Sequence, residues 1–175
     1  MKYNRIPPRN QVIDQHEIDN LYQVADSGVF TYGAFSKEFE KRIAEFVGAK
    51  YCLLCNSGSS ANLLAVSALT SPELGCRRLR RGDEVITTAL NFPTTVNPII
   101  QNGLVPVFID IQLPYYVEFG AWHDYPLMVK SDFLGNPDRA INSGTQTPMN
   151  KSQRWIIHDC CDAISQGCHR GDIST

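Results

Sequence analysis

The chain has 175 residues, a formal net charge of -2, 43% hydrophobic residues and six cysteines. That length suits one domain with a real core and hardly two, and the near-neutral charge argues against a general nucleic-acid or anionic-membrane binder. No apolar run is long enough to span a bilayer and residues 1–10 lack a signal-peptide core, so a cytoplasmic location with reduced thiols is expected.

Asp14-Gln15-His16-Glu17 has capping-box spacing, and Ile18, Leu21, Tyr22 and Ala25 follow on one helix face, with Gly28 as the stop. Ser36 is the expected cap of a second helix, with Phe39, Ile43, Phe46 and Val47 inward and Gly48 at its end. Cys52 to Cys55 reads as a buried strand. Asn56 to Ser60 is a tight turn, and Ala61, Leu63, Leu64, Ala65, Ala68 and Leu69 recur at helical spacing. Pro72 closes that helix. Ser71 to Asp83 reads as a polar loop in which Arg77, Arg78, Arg80 and Arg81 are solvated.

Glu84 to Thr88 is a short strand. Leu90 to Asn102 suggests a helix with Pro93 in its first turn and Gly103 as its stop, although Pro98 argues against it. Val105 to Ile111 is a strongly apolar strand. Tyr115, Tyr116, Phe119 and Trp122 mark an aromatic-rich loop or short strand, Pro126 to Lys130 a further strand, and Asp138 to Gln153, rich in turn formers, a loop or poor helix. Trp155 to Asp159 is the last buried strand. Strands alternating with helices predict an α/β fold with a mostly parallel central sheet.

In a parallel sheet, residues just past each strand gather at the carboxyl edge, where open α/β folds bind ligands. The first such stretch is the Gly58-Ser59-Ser60 turn. A helix that starts there offers amide N–H groups, the positive end of its dipole and two hydroxyls to a phosphate. The second is Asn91-Phe92-Pro93, with a flat aromatic face. The third is the carboxylate of Asp159. A phosphate nest, an aromatic ring and an opposing carboxylate suit pyridoxal phosphate, whose ring nitrogen stays protonated beside an Asp. Each piece also has a plainer reading: a βα turn with a Ser cap, a core Phe, and an Asp that caps the next segment.

The runs Asn56-Ser57-Gly58-Ser59-Ser60-Ala61-Asn62-Leu63-Leu64-Ala65, Gly82-Asp83-Glu84-Val85-Ile86-Thr87 and Phe92-Pro93-Thr94-Thr95-Val96-Asn97-Pro98 carry a resemblance. So do Pro106-Val107-Phe108-Ile109-Asp110, Leu134-Gly135-Asn136-Pro137 and Asp159-Cys160-Cys161-Asp162-Ala163. They resemble the DegT/StrS family of pyridoxal-phosphate sugar aminotransferases, and within it the CDP-4-keto-6-deoxyglucose 3-dehydratase branch of lipopolysaccharide sugar biosynthesis. The resemblance implies the truncated large domain of a fold-type I transferase, with residues 1–33 as an N-terminal helical arm and 34–175 as an incomplete cofactor-binding domain. It implies phosphate contacts from Gly58, Ser59 and Ser60, stacking by Phe92, pairing of Asp159 with the pyridine nitrogen, and a place for Asp162 near the cofactor hydroxyl.

In that branch, pyridoxamine phosphate condenses with a nucleotide-linked 4-keto-6-deoxyhexose, and loss of a methylene proton expels the sugar 3-hydroxyl. Implied partners are the keto-sugar, a second copy as homodimer and an NADH-dependent iron–sulfur reductase, with no nucleic acid or membrane. Relatives are longer. Their Schiff-base Lys or catalytic His follows a Gly-Asp-Ile lead-in like Gly171-Asp172-Ile173, and their iron–sulfur cysteines lie further on. No catalytic residue is therefore assignable here, and a non-catalytic remnant with weak cofactor binding stands beside the dehydratase and aminotransferase readings. Cys52 and Cys55, with Cys160 and Cys161, have a zinc-like look, but CxxC on an apolar strand points to buried thiols and no metal.

Overall fold

Short apolar runs become a sheet when several lie side by side, and five strands stand among the described residues. The computed structural model describes residues 13–110, 125–131, 155–160 and 173–174. The strands are β1 (Glu84–Thr88), β2 (Val105–Ile109), β3 (Leu127–Ser131), β4 (Trp155–Asp159) and β5 (Ile173–Ser174). They form one parallel sheet in the order β2-β1-β3-β4-β5. The chain leaves β1 toward β2 and returns on the other side of β1 to make β3. The connections thus reverse direction between β1 and β3, which opens a crevice at the carboxyl edge.

Alternation along each strand divides the core. Val85, Leu127, Val129 and Ile157 point to one face and meet Ala65, Val66 and Leu69 of helix α3 (Gly58–Leu69) and Ile99 of helix α4 (Pro93–Gln101). Ile86 and Met128 point to the other, with Ile109, Tyr125 and Ile156 packed around them. Strands buried on both faces read as continuous apolar runs, and β1 buries Val85 through Thr88 without interruption.

Two compact units divide the chain, Met1–Phe39 and Glu40–Thr175. In the first, helix α1 (Gln15–Ser27) has the expected capping box. Asp14 accepts from the His16 amide at 2.8 Å, Glu17 accepts from the Asp14 amide at 2.8 Å, and Gly28 closes the helix at φ 65°. The amide of His16, with help from Glu17, holds the Asp14 carboxyl below its ordinary range. A carboxylate depressed in the folded helix adds stability above its unfolded titration and loses it as pH falls through the folded value. Amide protection in the first turn of α1 is therefore expected to survive to lower pH than an ordinary Asp would allow. Loss of protection at the usual Asp titration, measured by hydrogen exchange, would count against this.

Several expectations are corrected. Helix α2 (Ala34–Val47) begins before Ser36, because the Gly33 carbonyl already accepts from the Lys37 amide at 3.2 Å. Its Phe39 and Phe46 are exposed, as are Ile18, Leu21 and Tyr22 of α1. Helix α3 starts at Gly58 instead of Ala61, because the Ser57 side chain caps it. It buries Asn62, Ala65, Val66 and Leu69, and leaves Leu63 and Leu64 exposed. Residues 51–55 are not a strand: Leu53 is 73% exposed, and no described segment pairs with them in a ladder. Their described anchor is the Leu54 amide, which donates to Glu40 Oε1 at 2.8 Å.

The Arg-rich loop holds a 3-10 helix (Pro72–Arg77), and Arg77 lies 3.8 Å over the Trp155 ring while Trp155 Nε1 donates to the Arg77 carbonyl at 3.1 Å. The aromatic loop and the 138–153 loop lie outside the described residues. Among the described residues no helix is long and apolar enough to cross a membrane.

Candidate functional site

Asp159 ends β4 at the carboxyl edge and is only 4% exposed. A buried carboxylate needs donors, and two reach the same oxygen. Asn62 Nδ2 donates to Oδ2 at 2.8 Å and Thr95 Oγ1 donates to it at 2.7 Å. Asn62 comes from α3 and Thr95 from α4, and both are fully buried.

The predicted binding residues stand one helical turn upstream of these donors. Ser59 precedes Asn62 by three positions on α3, and Phe92 precedes Thr95 by three as the N-cap of α4. Positions three apart share a helix face. The starts of α3 and α4 are thereby brought to the strand end that carries Asp159.

At α3, the Ser57 hydroxyl accepts from the Ser60 amide at 3.2 Å, and the Ser57 and Ser60 hydroxyls lie 3.2 Å apart. The Ala61 amide is taken by the Ser57 carbonyl at 3.0 Å. Not every early amide is left pointing outward, as the sequence suggested. What Ser60 offers an anion is its hydroxyl, and Ser59 is exposed beside it. At α4, Phe92 is 63% exposed and is not a core residue. Its backbone is fixed, because its amide donates to Asn91 Oδ1 at 2.8 Å and its carbonyl accepts from the Thr95 amide at 3.0 Å. Asn91 in turn donates to Thr87 Oγ1 of β1 at 3.3 Å. An aromatic ring on a fixed backbone, facing solvent, is suited to stack on a flat ligand. Asp162 lies outside the described residues.

Asn62 and Thr95 were not singled out from the sequence. The signal was a polar residue inside each buried stripe: Asn62 with Ala65, Val66 and Leu69, and Thr95 with Pro98 and Ile99. Pro98 also has a part. It has no N–H for the carbonyl one turn earlier, that of Thr94, and Asn62 Nδ2 sits 3.5 Å from that oxygen.

Among the described residues no three His, Cys, Asp or Glu side chains gather closely enough to hold a metal ion. Burial, then Glu40 and Cys55, push the Cys52 thiol above its usual range. Thiolate is the reactive form, so Cys52 is expected to alkylate more slowly with iodoacetamide than a free cysteine, and Glu40→Gln is expected to speed it. Mass-spectrometric time courses showing equal rates would contradict this.

Residues 11–118 match the DegT/DnrJ/EryC1/StrS aminotransferase family. Over 166 residues the chain is 45% identical to the lipopolysaccharide biosynthesis protein RfbH of Salmonella typhimurium, covering 91% of this chain and 37% of RfbH. It is 39% identical over 175 residues to the dTDP-4-dehydro-2,6-dideoxy-D-glucose 3-dehydratase of Saccharopolyspora spinosa, covering 97% of this chain and 37% of that enzyme. The fold matches that of E. coli GDP-4-keto-6-deoxy-D-mannose-3-dehydratase with bound hydrated PLP, with a TM-score of 0.77 and 29% identity, over 91% of this chain and 42% of that one. The chain thus spans a little over a third of the length of the curated relatives it matches. The strand and helix arrangement is that of the large domain of fold-type I enzymes, in part.

Proposed function

The chain belongs to the DegT/DnrJ/EryC1/StrS aminotransferase family, and from that premise we propose that it is the N-terminal, cofactor-holding part of a nucleotide-sugar 3-dehydratase. The cofactor is pyridoxamine or pyridoxal phosphate, and the substrate a nucleotide-linked 4-keto-6-deoxyhexose of lipopolysaccharide sugar biosynthesis. The observation that carries the reading is the buried Asp159 carboxylate, tied to the two helices whose starts carry Ser59 and Phe92.

The donor set fits such a group. Gly58, Ser59 and Ser60 hold its phosphate at the positive end of α3, where hydroxyls and dipole favour an anion. Phe92 covers one face of the ring and keeps water from it. Asp159, fixed by Asn62 and Thr95, faces the ring nitrogen and holds the proton there. Asp162, outside the described residues, would stand near the ring hydroxyl by the resemblance alone. When bound, the cofactor supplies an electron sink for removal of a proton next to the sugar carbon. The described residues provide binding and orientation, and no proton-transfer role is assigned among them.

Calorimetric titration with pyridoxamine phosphate tests the cofactor part. Saturable binding is expected, weakened about tenfold by Phe92→Ala through loss of a stacking face, and by Ser59→Ala through loss of a charge-assisted hydrogen bond. No saturable binding would overturn the reading. The family's aminotransferases favour a second reading, transfer of an amino group to the same class of keto-sugar. Incubation of a nucleotide-linked 4-keto-6-deoxyhexose with cofactor, read by mass spectrometry, separates them. Loss of the 3-hydroxyl supports dehydration, and gain of an amino group supports transfer. A further reading confines the chain to weak cofactor binding without turnover, favoured by the uncovered apolar faces of α1, α2 and α3. An unchanged sugar in that incubation supports it.

A further inference from the structure

The hydrogen bonds around Asp159 point beyond the binding residues to those that aim them. A lone carboxylate at a strand end has a free χ torsion. Here two donors from different helices meet on one oxygen, Oδ2, at 2.8 and 2.7 Å, and all three side chains are buried. Hydrogen bonds to a charged group are short and directional, so this pair sets the rotation of the carboxylate plane. The same pair fixes the two helices to each other. α3 reaches Asp159 through Asn62 and α4 through Thr95, while the Asn62 amide lies 3.5 Å from the Thr94 carbonyl that Pro98 leaves without an N–H.

The arrangement repeats on each helix. The residue proposed to touch the cofactor, Ser59 or Phe92, stands three positions before the residue that grips the carboxylate. Any rotation or slide of one helix start therefore moves its donor away from Oδ2.

We propose that Asn62 and Thr95 are positioning residues: by donating to one oxygen of Asp159 they aim its carboxylate at the ring nitrogen of a bound pyridoxamine phosphate and lock the phosphate-holding and ring-holding helix starts in register with it. The inference rests on the cofactor reading above. Both residues act through Asp159.

The test is a set of titrations of the full 175-residue chain with pyridoxamine phosphate, read by calorimetry and by the near-ultraviolet band of the bound ring. Thr95→Val keeps the volume and removes the hydroxyl, and is expected to weaken binding about tenfold and shift the band. Thr95→Ser restores the donor and is expected to bind as the parent does. Asp159→Asn is expected to weaken binding, and in that background Thr95→Val should cost no further affinity, because the negative charge that Thr95 aims is already gone. A merely structural Thr95 would cost the same in both backgrounds.

Parent-like affinity and band for Thr95→Val, with Asp159→Asn weakened, overturns the positioning role and leaves the cofactor reading intact. Failure of the parent chain to bind, or an Asp159→Asn chain that binds as well as the parent, overturns the cofactor reading and this inference with it. Circular dichroism reports folding of each variant. Should Thr95→Val not fold, Asn62→Ser, run through the same cycle against Asp159→Asn, reads the coupling from α3 and decides between the same two outcomes.

Discussion

Replacing Asp159 with alanine is expected to abolish measurable binding of pyridoxamine phosphate and to lower the melting temperature of the chain together with it. The two effects have separate causes. The carboxylate is the charged partner proposed for the ring nitrogen, and a hydrogen bond to a charged group contributes about 1.5–3 kcal/mol, or roughly 10- to 150-fold in affinity. The second cause lies inside the protein. Asn62 Nδ2 and Thr95 Oγ1 both donate to Asp159 Oδ2, and both residues are buried. Removing the acceptor costs about 1–3 kcal/mol at Thr95, while Asn62 Nδ2 keeps its 3.5 Å contact with the Thr94 carbonyl. Against a total of about 5–15 kcal/mol for a typical domain, that is a large share. Thermal unfolding followed by circular dichroism, alongside calorimetry, measures both. A variant that melts with the parent would show that the buried donors find other acceptors. One that binds as the parent does would remove the cofactor role from Asp159.

Ile157→Ala is expected to cost about 2–5 kcal/mol of stability. Ile157 is wholly buried, lies between Val129 of β3 and Ile173 of β5, and packs in the cluster that joins the sheet to α3 and α4. The sheet has limited means to close such a hole, because its neighbours are strands held by ladders on both sides. Ile157 also shares a sheet face with Asp159, two residues on, so the cavity opens beneath the carboxylate. Denaturant titration reads the loss. A cost under about 1 kcal/mol would mean that the helices settle onto the sheet and fill the space. Ile157→Val, one methylene smaller, is expected to cost about 0.5–1.5 kcal/mol.

The sequence spoke most clearly where a local pattern decides the structure. Glu84–Thr88 and Trp155–Asp159 are strands because their runs are apolar and bounded by turn formers, and α1 starts and stops at its capping box and Gly28. It failed where the answer depends on distant residues. Cys52 to Cys55 has the composition of a strand, but a strand needs a ladder, and composition does not supply a partner. Helix α3 is apolar nearly all round, so periodicity cannot say which side meets the sheet, and the side marked by Asn62 and Ala65 won over that of Leu63 and Leu64. Pro98 argued against α4, yet the helix holds because the carbonyl it leaves bare faces the Asn62 amide. Phe92 and Asp159 were legible as strand-edge residues, and Ser59 only as part of a helix start, since the segment before it is no strand. Asn62 and Thr95 were not, because a polar residue in a buried stripe announces a bond without naming its other end.

The tie between Asn62 and Asp159 spans 97 positions of chain and that between Thr95 and Asp159 spans 64. Bringing such distant ends together costs on the order of 4 kcal/mol in chain entropy before any contact repays it. A sheet without hairpins offers no short-range shortcut, so its folding is slow for its size. During synthesis, α3 and α4 leave the ribosome well before the residue that fastens them, and the nascent helices wait with their polar grips empty. The crevice therefore takes its form only once β4 has emerged.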